Sequence, residues 1–302
     1  MDQTATMKLI RLVLLVLIIS SCNAQPATDP LKTNKDDNTL LWEVSGNGLT
    51  KPSYLFGSFH LLCKADIHFS EQLLKAVKRS TEVYLELDLD DPSTLMGAML
   101  LLNMNGGKQL KDLYSSADYK KLEDFFKDSL RSSLTLFQSM KPAFLESMLY
   151  PKMMPCKTIS GVEEELLAVA KKDKKEIQGL ETMAFQASIF DSIPYADQAK
   201  ELLKTIDSLS SYKKFFDTMI TVYKSQRLDE IEKMFSKSEF GMEENQDMLL
   251  NNRNKNWVKQ LKLIMKKEPV FVAVGAGHLV GEMGLIALLK KEGYVLRPIE
   301  NK

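Results

Sequence analysis

The chain has 302 residues, 44% of them hydrophobic and 26% charged, an ordinary globular balance with enough length for a full core. Its 40 basic residues match 40 acidic ones, so it carries no electrostatic footprint for nucleic acid or an anionic membrane surface. It contains no His-Glu-x-x-His helix, Walker loop, Gly-x-Ser-x-Gly elbow or Gly-x-Gly-x-x-Gly turn, which sets aside the standard zincin, P-loop, serine-hydrolase and dinucleotide-binding readings.

The N-terminal stretch MKLIRLVLLVLIISSC pairs two cations, Lys8 and Arg11, with an apolar run and then small residues. That pattern predicts a secretory signal over 1–21, whose apolar run is shorter than the roughly 20 residues of a comfortable span. Ile19-Ser20-Ser21-Cys22 resembles the lipobox of bacterial lipoproteins. The resemblance implies cleavage before Cys22 and acylation of its thiol. The protein would then sit in the bacterial cell envelope, periplasmic or surface-facing, meeting the membrane only through its lipid. Ordinary cleavage after Ala24, giving a soluble exported protein, is the alternative. Residues 22–38 are polar without apolar period and read as a flexible tether. Residues 39–302 then form one domain.

TLLWEVSGNGLTKPSYLFGS predicts two strands around an Asn47-Gly48 turn. A helix over 69–79 follows, with Phe69, Leu73, Leu74 and Val77 on one side, then the alternating strand EVYLELDL. In that strand Val83, Leu85 and Leu87 face one way and Tyr84, Glu86 and Asp88 the other. From about 93 to 250 the pattern is a large helical insert, with helices at 118–130, 142–150, 161–172, 182–191, 195–209, 211–224 and 227–235. The insert also holds a short strand, KKEIQGLET, ending at Glu181. NNRNKNWVKQLKLIMKKE reads as a basic amphipathic helix with Trp257, Leu261 and Ile264 or Met265 inward. PVFVAVGAGH predicts a strand buried on both faces, before a helix over 280–291 and a last strand YVLRPIE. The fold class expected is therefore α/β (α+β), a mixed central sheet from two β-α-β units separated by the helical insert.

Both units place Gly-x-x-His at the same corner: Gly57 with His60, and Gly275 with His278. A glycine at a strand end permits a backbone conformation or a close approach that a Cβ blocks. Open α/β sheets build their sites at this edge. Two convergent histidines suit a metal or acid/base pair, and a metal needs a third ligand. Glu86 is the best carboxylate, since a glutamate in so apolar a strand calls for a partner. Glu181, at another strand end, and Glu282, four residues past His278, are further carboxylates in reach of the pattern. Asp88 is expected to pair with a basic neighbour, and His68, with no glycine before it, to cap or solvate a helix start. In an exported, oxidising compartment Cys63 and Cys156 are allowed a disulfide, two free thiols being the alternative.

The segments YLFGSFHLL…VYLELDLDDP, GVEEELLAVAKKDKKEIQGLETMAFQ, NNRNKNW and VFVAVGAGHLVGEMGLIALLKKEGY together resemble the TraB/GumN family, over about residues 40–300. That family includes pheromone-shutdown proteins and the Tiki metalloproteases that clip secreted signalling proteins. Its pattern is two Gly-x-x-His motifs and a glutamate after the first. It falls here on Gly57/His60, Glu86 and Gly275/His278, with Ser58 where Thr is common. The resemblance implies a mixed sheet packed with helices and, in the Tiki branch, divalent-metal-dependent hydrolysis; a peptide or protein substrate for a bacterial member is an extrapolation from that branch. The ligand set His60, Glu86 and His278 suits manganese, cobalt or zinc better than magnesium. Glu181 or Glu282 would manage the proton and Arg253 a developing oxyanion. The same pocket also suits a non-catalytic binding lipoprotein that captures a peptide, haem or a metal, and a scaffold lipoprotein with vestigial site residues is a third reading.

Overall fold

In a computed structural model the described residues are 31–32, 36–91, 101–236 and 245–302; Cys22 and the predicted signal and lipidation site lie outside them. Alternating or continuous apolar runs become strands β1 (Leu41–Gly46), β2 (Ser53–Ser58), β4 (Glu82–Leu87), β6 (Glu176–Glu181), β7 (Val270–Gly275) and β8 (Tyr294–Ile299), which form one sheet in the order β6-β4-β7-β2-β1-β8. The strands β6, β4, β7 and β2 run parallel, and β1 is antiparallel to both β2 and β8. β2 is buried along its whole length and β7 along all but its last residue, as the VFVAVG run predicts for a strand covered on both faces. The sheet is mixed, as expected, and the domain from Lys32 to Lys302 clusters as one unit.

Two features depart from the local pattern. The two strand-helix-strand units interleave rather than sit side by side: β7 lies between β2 and β4, while β2 and β1 lie between β7 and β8. The insert is also not purely helical, because its strand β6 becomes an edge of the central sheet, next to β4. Strand order depends on long-range pairing, which no local period encodes.

Helices follow the sequence closely: α1 (Glu71–Arg79), α2 (Ser116–Ser129), α3 (Pro142–Ser147), α4 (Tyr150–Met153), α5 (Val162–Lys172), α6 (Met183–Asp191), α7 (Tyr195–Asp207), α8 (Leu209–Ser225), α9 (Leu228–Ser236), α10 (Asn252–Lys267) and α11 (Leu285–Lys291). The predicted 142–150 helix divides at Met148–Leu149 and restarts with Pro151 in its first turn, a position proline tolerates. The predicted 280–291 helix begins only at Leu285, because Ala276–His278 forms a tight 3-10 turn and Gly281 takes φ +79°. Among the described residues no helix is long and apolar enough to cross a membrane.

Register places the chemistry. Ser58 pairs with Gly275, and Leu87 pairs with Glu181. Ser58, Gly275, Glu86 and Glu181 therefore all lie at or next to the C-terminal ends of four neighbouring parallel strands, the edge where such sheets bind ligands.

Candidate functional site

Gly57 has no unusual backbone angle. A Cβ there would stand 2.8 Å from Leu279 Cδ1 and 3.2 Å from Ala276 Cα. Its role is close approach, letting β2 pack against the turn that carries His278. Gly275 does the same for side chains: a Cβ would stand 3.4 Å from Glu86 Oε1, 3.7 Å from His278 Cδ2 and 3.7 Å from His60 Nε2. The three residues singled out by sequence thus converge over one glycine.

Their environments differ. The 3-10 turn after Gly275 folds His278 inward, where its side chain is 5% exposed and its ring lies 4.4 Å from that of Trp257. His278 Nδ1–H donates to Asn254 Oδ1 at 2.7 Å. The Asn254 amide is oriented by donating its own N–H to the Met283 carbonyl at 2.8 Å and the His278 carbonyl at 3.3 Å. This fixes the tautomer and leaves Nε2 as an acceptor, which receives Arg253 Nη1 at 3.2 Å. Burial, helped by Arg253, pushes the His278 pKa down to about 3 against the pull of Glu86, so the ring is neutral.

His60 stands at the rim, its side chain 68% exposed. After Gly57 the chain continues through Ser58 and turns out toward β3 (Leu62–Cys63) instead of turning in. Its Nδ1 lies 2.8 Å from Glu163 Oε1, and Ser58 Oγ donates to the same oxygen at 2.5 Å. Desolvation by the surrounding atoms opposes protonation of this ring, but the charge and hydrogen bond of Glu163, with Glu86 behind, outweigh it and raise the pKa to about 9. Glu163 is itself buried, which alone would raise its pKa; the His60 and Ser58 contacts reverse that and lower it.

The His60–Glu163 contact is built by three ties. β3 pairs with β5 (Ile159–Ser160), Val162 N–H donates to the Phe59 carbonyl at 3.0 Å, and Cys63 is bonded to Cys156 with Cα atoms 5.8 Å apart. The disulfide allowed by sequence is therefore present, and it clamps the His60 corner to the start of α5.

Glu86 lies between the histidines. Oε1 accepts the Gly275 amide at 2.9 Å, with His278 Nε2 at 3.7 Å and His60 Nε2 at 3.9 Å. Oε2 accepts Arg253 Nη2 at 2.5 Å and Gln186 Nε2 at 3.3 Å. Burial would raise the carboxyl pKa, but the two histidines, Arg253 and the Gly275 amide hold it at about 2. Arg253 forks across two carboxylates, with Nε at 3.1 and 3.0 Å from Glu181 and Nη2 at 2.8 Å, and it lies over the Trp257 ring.

Glu181 is thus committed to Arg253 and Gln186. Glu282 is exposed on the loop before α11, with no helix to join it to His278, so it does not share the site. Asp88 takes hydrogen bonds from the acidic turn Asp90–Asp91 rather than a basic neighbour, and burial and Asp90 raise its pKa. His68 is exposed, away from the cluster. The residues sequence reasoning missed are Glu163 and Asn254. Glu163 sat in an acidic triplet at a helix start, which reads as ordinary helix-dipole compensation.

The donor chemistry fits a divalent cation. Each histidine has Nδ1 engaged by an oxygen acceptor, the arrangement that orients metal-ligating imidazoles, and each Nε2 lies near one oxygen of Glu86. The spacing is looser than a ligand set: donors on one ion at about 2.1 Å stand ~3.4 Å apart in a tetrahedron. Among the described residues no group of three His, Cys, Asp or Glu already has metal-holding geometry. Closing the set requires a small inward shift and release of His278 Nε2 by Arg253.

The sequence profile described as the TraB/PrgY/gumN family matches residues 40–298. The chain is similar to Metalloprotease TIKI1 of Danio rerio, 22% identical over 317 aligned positions that cover 86% of this chain and 63% of the relative. It is 32% identical over 92 residues to Metalloprotease TIKI2 of Danio rerio, covering 30% of this chain and 18% of the relative. Metalloprotease TIKI2 of Xenopus tropicalis is 33% identical over 93 residues, 30% of this chain and 17% of the relative. The chain therefore spans less than two thirds of the length of these relatives. No solved structure gives a significant match.

Proposed function

The chain belongs to the TraB/PrgY/gumN family, and from that premise we propose that it is an exported metal-dependent hydrolase acting on peptides or proteins. The observation that carries the reading is the convergence of His60 Nε2, His278 Nε2 and Glu86 Oε1 over Gly275, with both Nδ1 atoms already engaged. Similarity to proteins named metalloproteases supports the same class. The signal-like run and Cys22 support export with a lipid anchor to a bacterial envelope.

His60, Glu86 and His278 would hold manganese, cobalt or zinc; when bound, such an ion supplies Lewis acidity toward a carbonyl and acidifies water. The remaining work falls to the chain. Asn254 keeps the His278 proton on Nδ1 and so keeps Nε2 available, whereas Glu163 holds Nδ1–H of a protonated His60, whose Nε2 proton a cation would have to displace. The Gly275 amide aims Glu86 Oε1. Arg253 holds Glu86 Oε2 and places a buried positive charge where a carbonyl oxygen would gain negative charge, with Glu181 positioning Arg253.

A second reading, a non-catalytic lipoprotein that captures a peptide, haem or a metal, is favoured by Arg253 Nη1 resting on His278 Nε2 in place of a cation. Incubating the purified protein with a broad peptide mixture, with and without manganese, separates the two by mass spectrometry of new termini. Metal-dependent cleavage that disappears in Glu86→Gln and His278→Ala supports hydrolysis. Peptides that are retained uncut support capture, and sink the hydrolase reading.

A further inference from the structure

Helix α8 carries two apolar stripes. Tyr212, Phe216, Ile220 and Tyr223 are buried in the core. Phe215, Met219 and Val222, spaced i, i+4 and i+7, are only partly buried. Packing against one core needs a single stripe. The second stripe, together with Phe216 and Tyr223 of the first, lines a cavity of about 410 Å³ whose lining also includes His60, Arg253, Gly275 and His278. That volume lies in the range of small-ligand pockets.

The wall offers contact and almost no polarity. The Tyr223 hydroxyl donates to the Gly57 carbonyl at 3.0 Å, and the Ser58 hydroxyl is taken by Glu163. Phe235 completes the wall and is tied to the site: Gly277 lacks a Cβ that would stand 2.6 Å from the Phe235 ring, so the ring lies directly on the turn bearing His278.

We propose that this cavity is the subsite for a bulky apolar side chain, Phe, Met or Leu, on the substrate residue beside the bond presented to His60, Glu86 and His278. The inference deepens the hydrolase reading and rests on it for the position of that bond. The charged groups in the lining, His60 and Arg253, are already paired with Glu163, Glu86 and Glu181, so a charged side chain entering the cavity would be desolvated without a free partner, and a small one would leave its walls without contacts. Met219 and Met234 in the lining can adjust to several apolar shapes, so the subsite selects a class rather than one residue.

The test has two arms. NMR titration of the purified protein with N-acetyl amides of Phe, Leu, Ala and Asp reads the pocket without any reaction. The Phe and Leu amides should saturate at concentrations at least about tenfold below the Ala amide and shift the Met219 and Met234 methyl signals. Met219→Trp or Val222→Phe should remove that advantage; both are used so that one misfolded variant does not decide the result. Equal binding of Phe and Ala amides, or an undiminished Phe advantage in both folded variants, would overturn the inference. So would decanoate binding at the same methyls about tenfold more tightly than the Phe amide, which would assign the cavity to an acyl chain. In the second arm, sites cut in a degenerate peptide library should show Phe, Met or Leu at one fixed position about tenfold over Ala; cleavage blind to that position overturns the inference. No cleavage by the wild type, with the amide preference intact, sinks the hydrolase reading while supporting the pocket.

Discussion

Arg253→Met tests whether the site is held by the buried charge network. The substitution keeps an unbranched stem but removes the guanidinium, and with it both the cation between two carboxylates and the contact over the Trp257 ring. Glu86 and Glu181 have side chains 9% and 5% exposed, and each would retain the Gln186 amide, with Gly275 N–H remaining on Glu86 alone. Removing one partner from a buried ion pair costs about 3–5 kcal/mol, because the other charges stay buried and uncompensated. For a domain of this size that is a fall of roughly 6–20 °C in melting temperature. Differential scanning calorimetry in chelator at pH 7 measures it. Adding Glu181→Gln to Arg253→Met removes one orphaned charge and should recover part of the loss, the signature of an electrostatic rather than a packing defect. An Arg253→Met protein within about 1 kcal/mol of wild type would refute the network as described.

Three further outcomes are expected. Gly275→Ala fills the space between His60, Glu86 and His278 at an ordinary backbone angle, so it should fold yet lose at least about tenfold in metal affinity, read by calorimetric titration. Replacing both Cys63 and Cys156 by Ser, which opens a link of sequence separation 93, should cost roughly 2–4 kcal/mol in denaturant unfolding and loosen His60 from Glu163, seen as a shift of the His60 ring signals. In metal-free protein the pH profile has a definite sign. His278, held near 3 against an ordinary 6.5, stays neutral while the unfolded ring protonates, so stability falls as pH drops from 6.5 toward 3. Glu86, held near 2, contributes stability above its ordinary 4.5 that is lost as pH falls through 2. His60, raised to about 9, contributes stability present below 6.5 and lost as pH rises through 9. Melting temperature should therefore peak near pH 6.5 and decline as pH rises toward 9, and His278→Leu should flatten the acid limb.

Much of this was legible in the chain. The apolar periods place most helices within two or three residues, and the paired Gly-x-x-His corners lie at the strand ends where His60, Glu86 and His278 come together. Glu86 is found by its misfit, a carboxylate between Leu85 and Leu87 inside a strand, and the fold answers that misfit with Arg253 and the Gly275 amide. What the chain hides is whatever depends on distant pairing. The identical motifs give one buried and one exposed histidine, because a 3-10 turn follows Gly275 while β2 runs on past Gly57 toward β3. Glu163 becomes a partner of His60 only through the β3–β5 pairing and the disulfide. The second stripe of α8 looks like core until the cavity beside it is seen.

The central claim is that His60, Glu86 and His278 form one cation site. Titrating the metal-free protein with cobalt, followed by its visible absorption, tests it directly, with His60→Ala, Glu86→Gln and His278→Ala in parallel. The account predicts one equivalent bound by the wild type and a large loss of affinity in each variant. Binding unchanged in all three variants, or no binding by the folded wild-type protein, would contradict it.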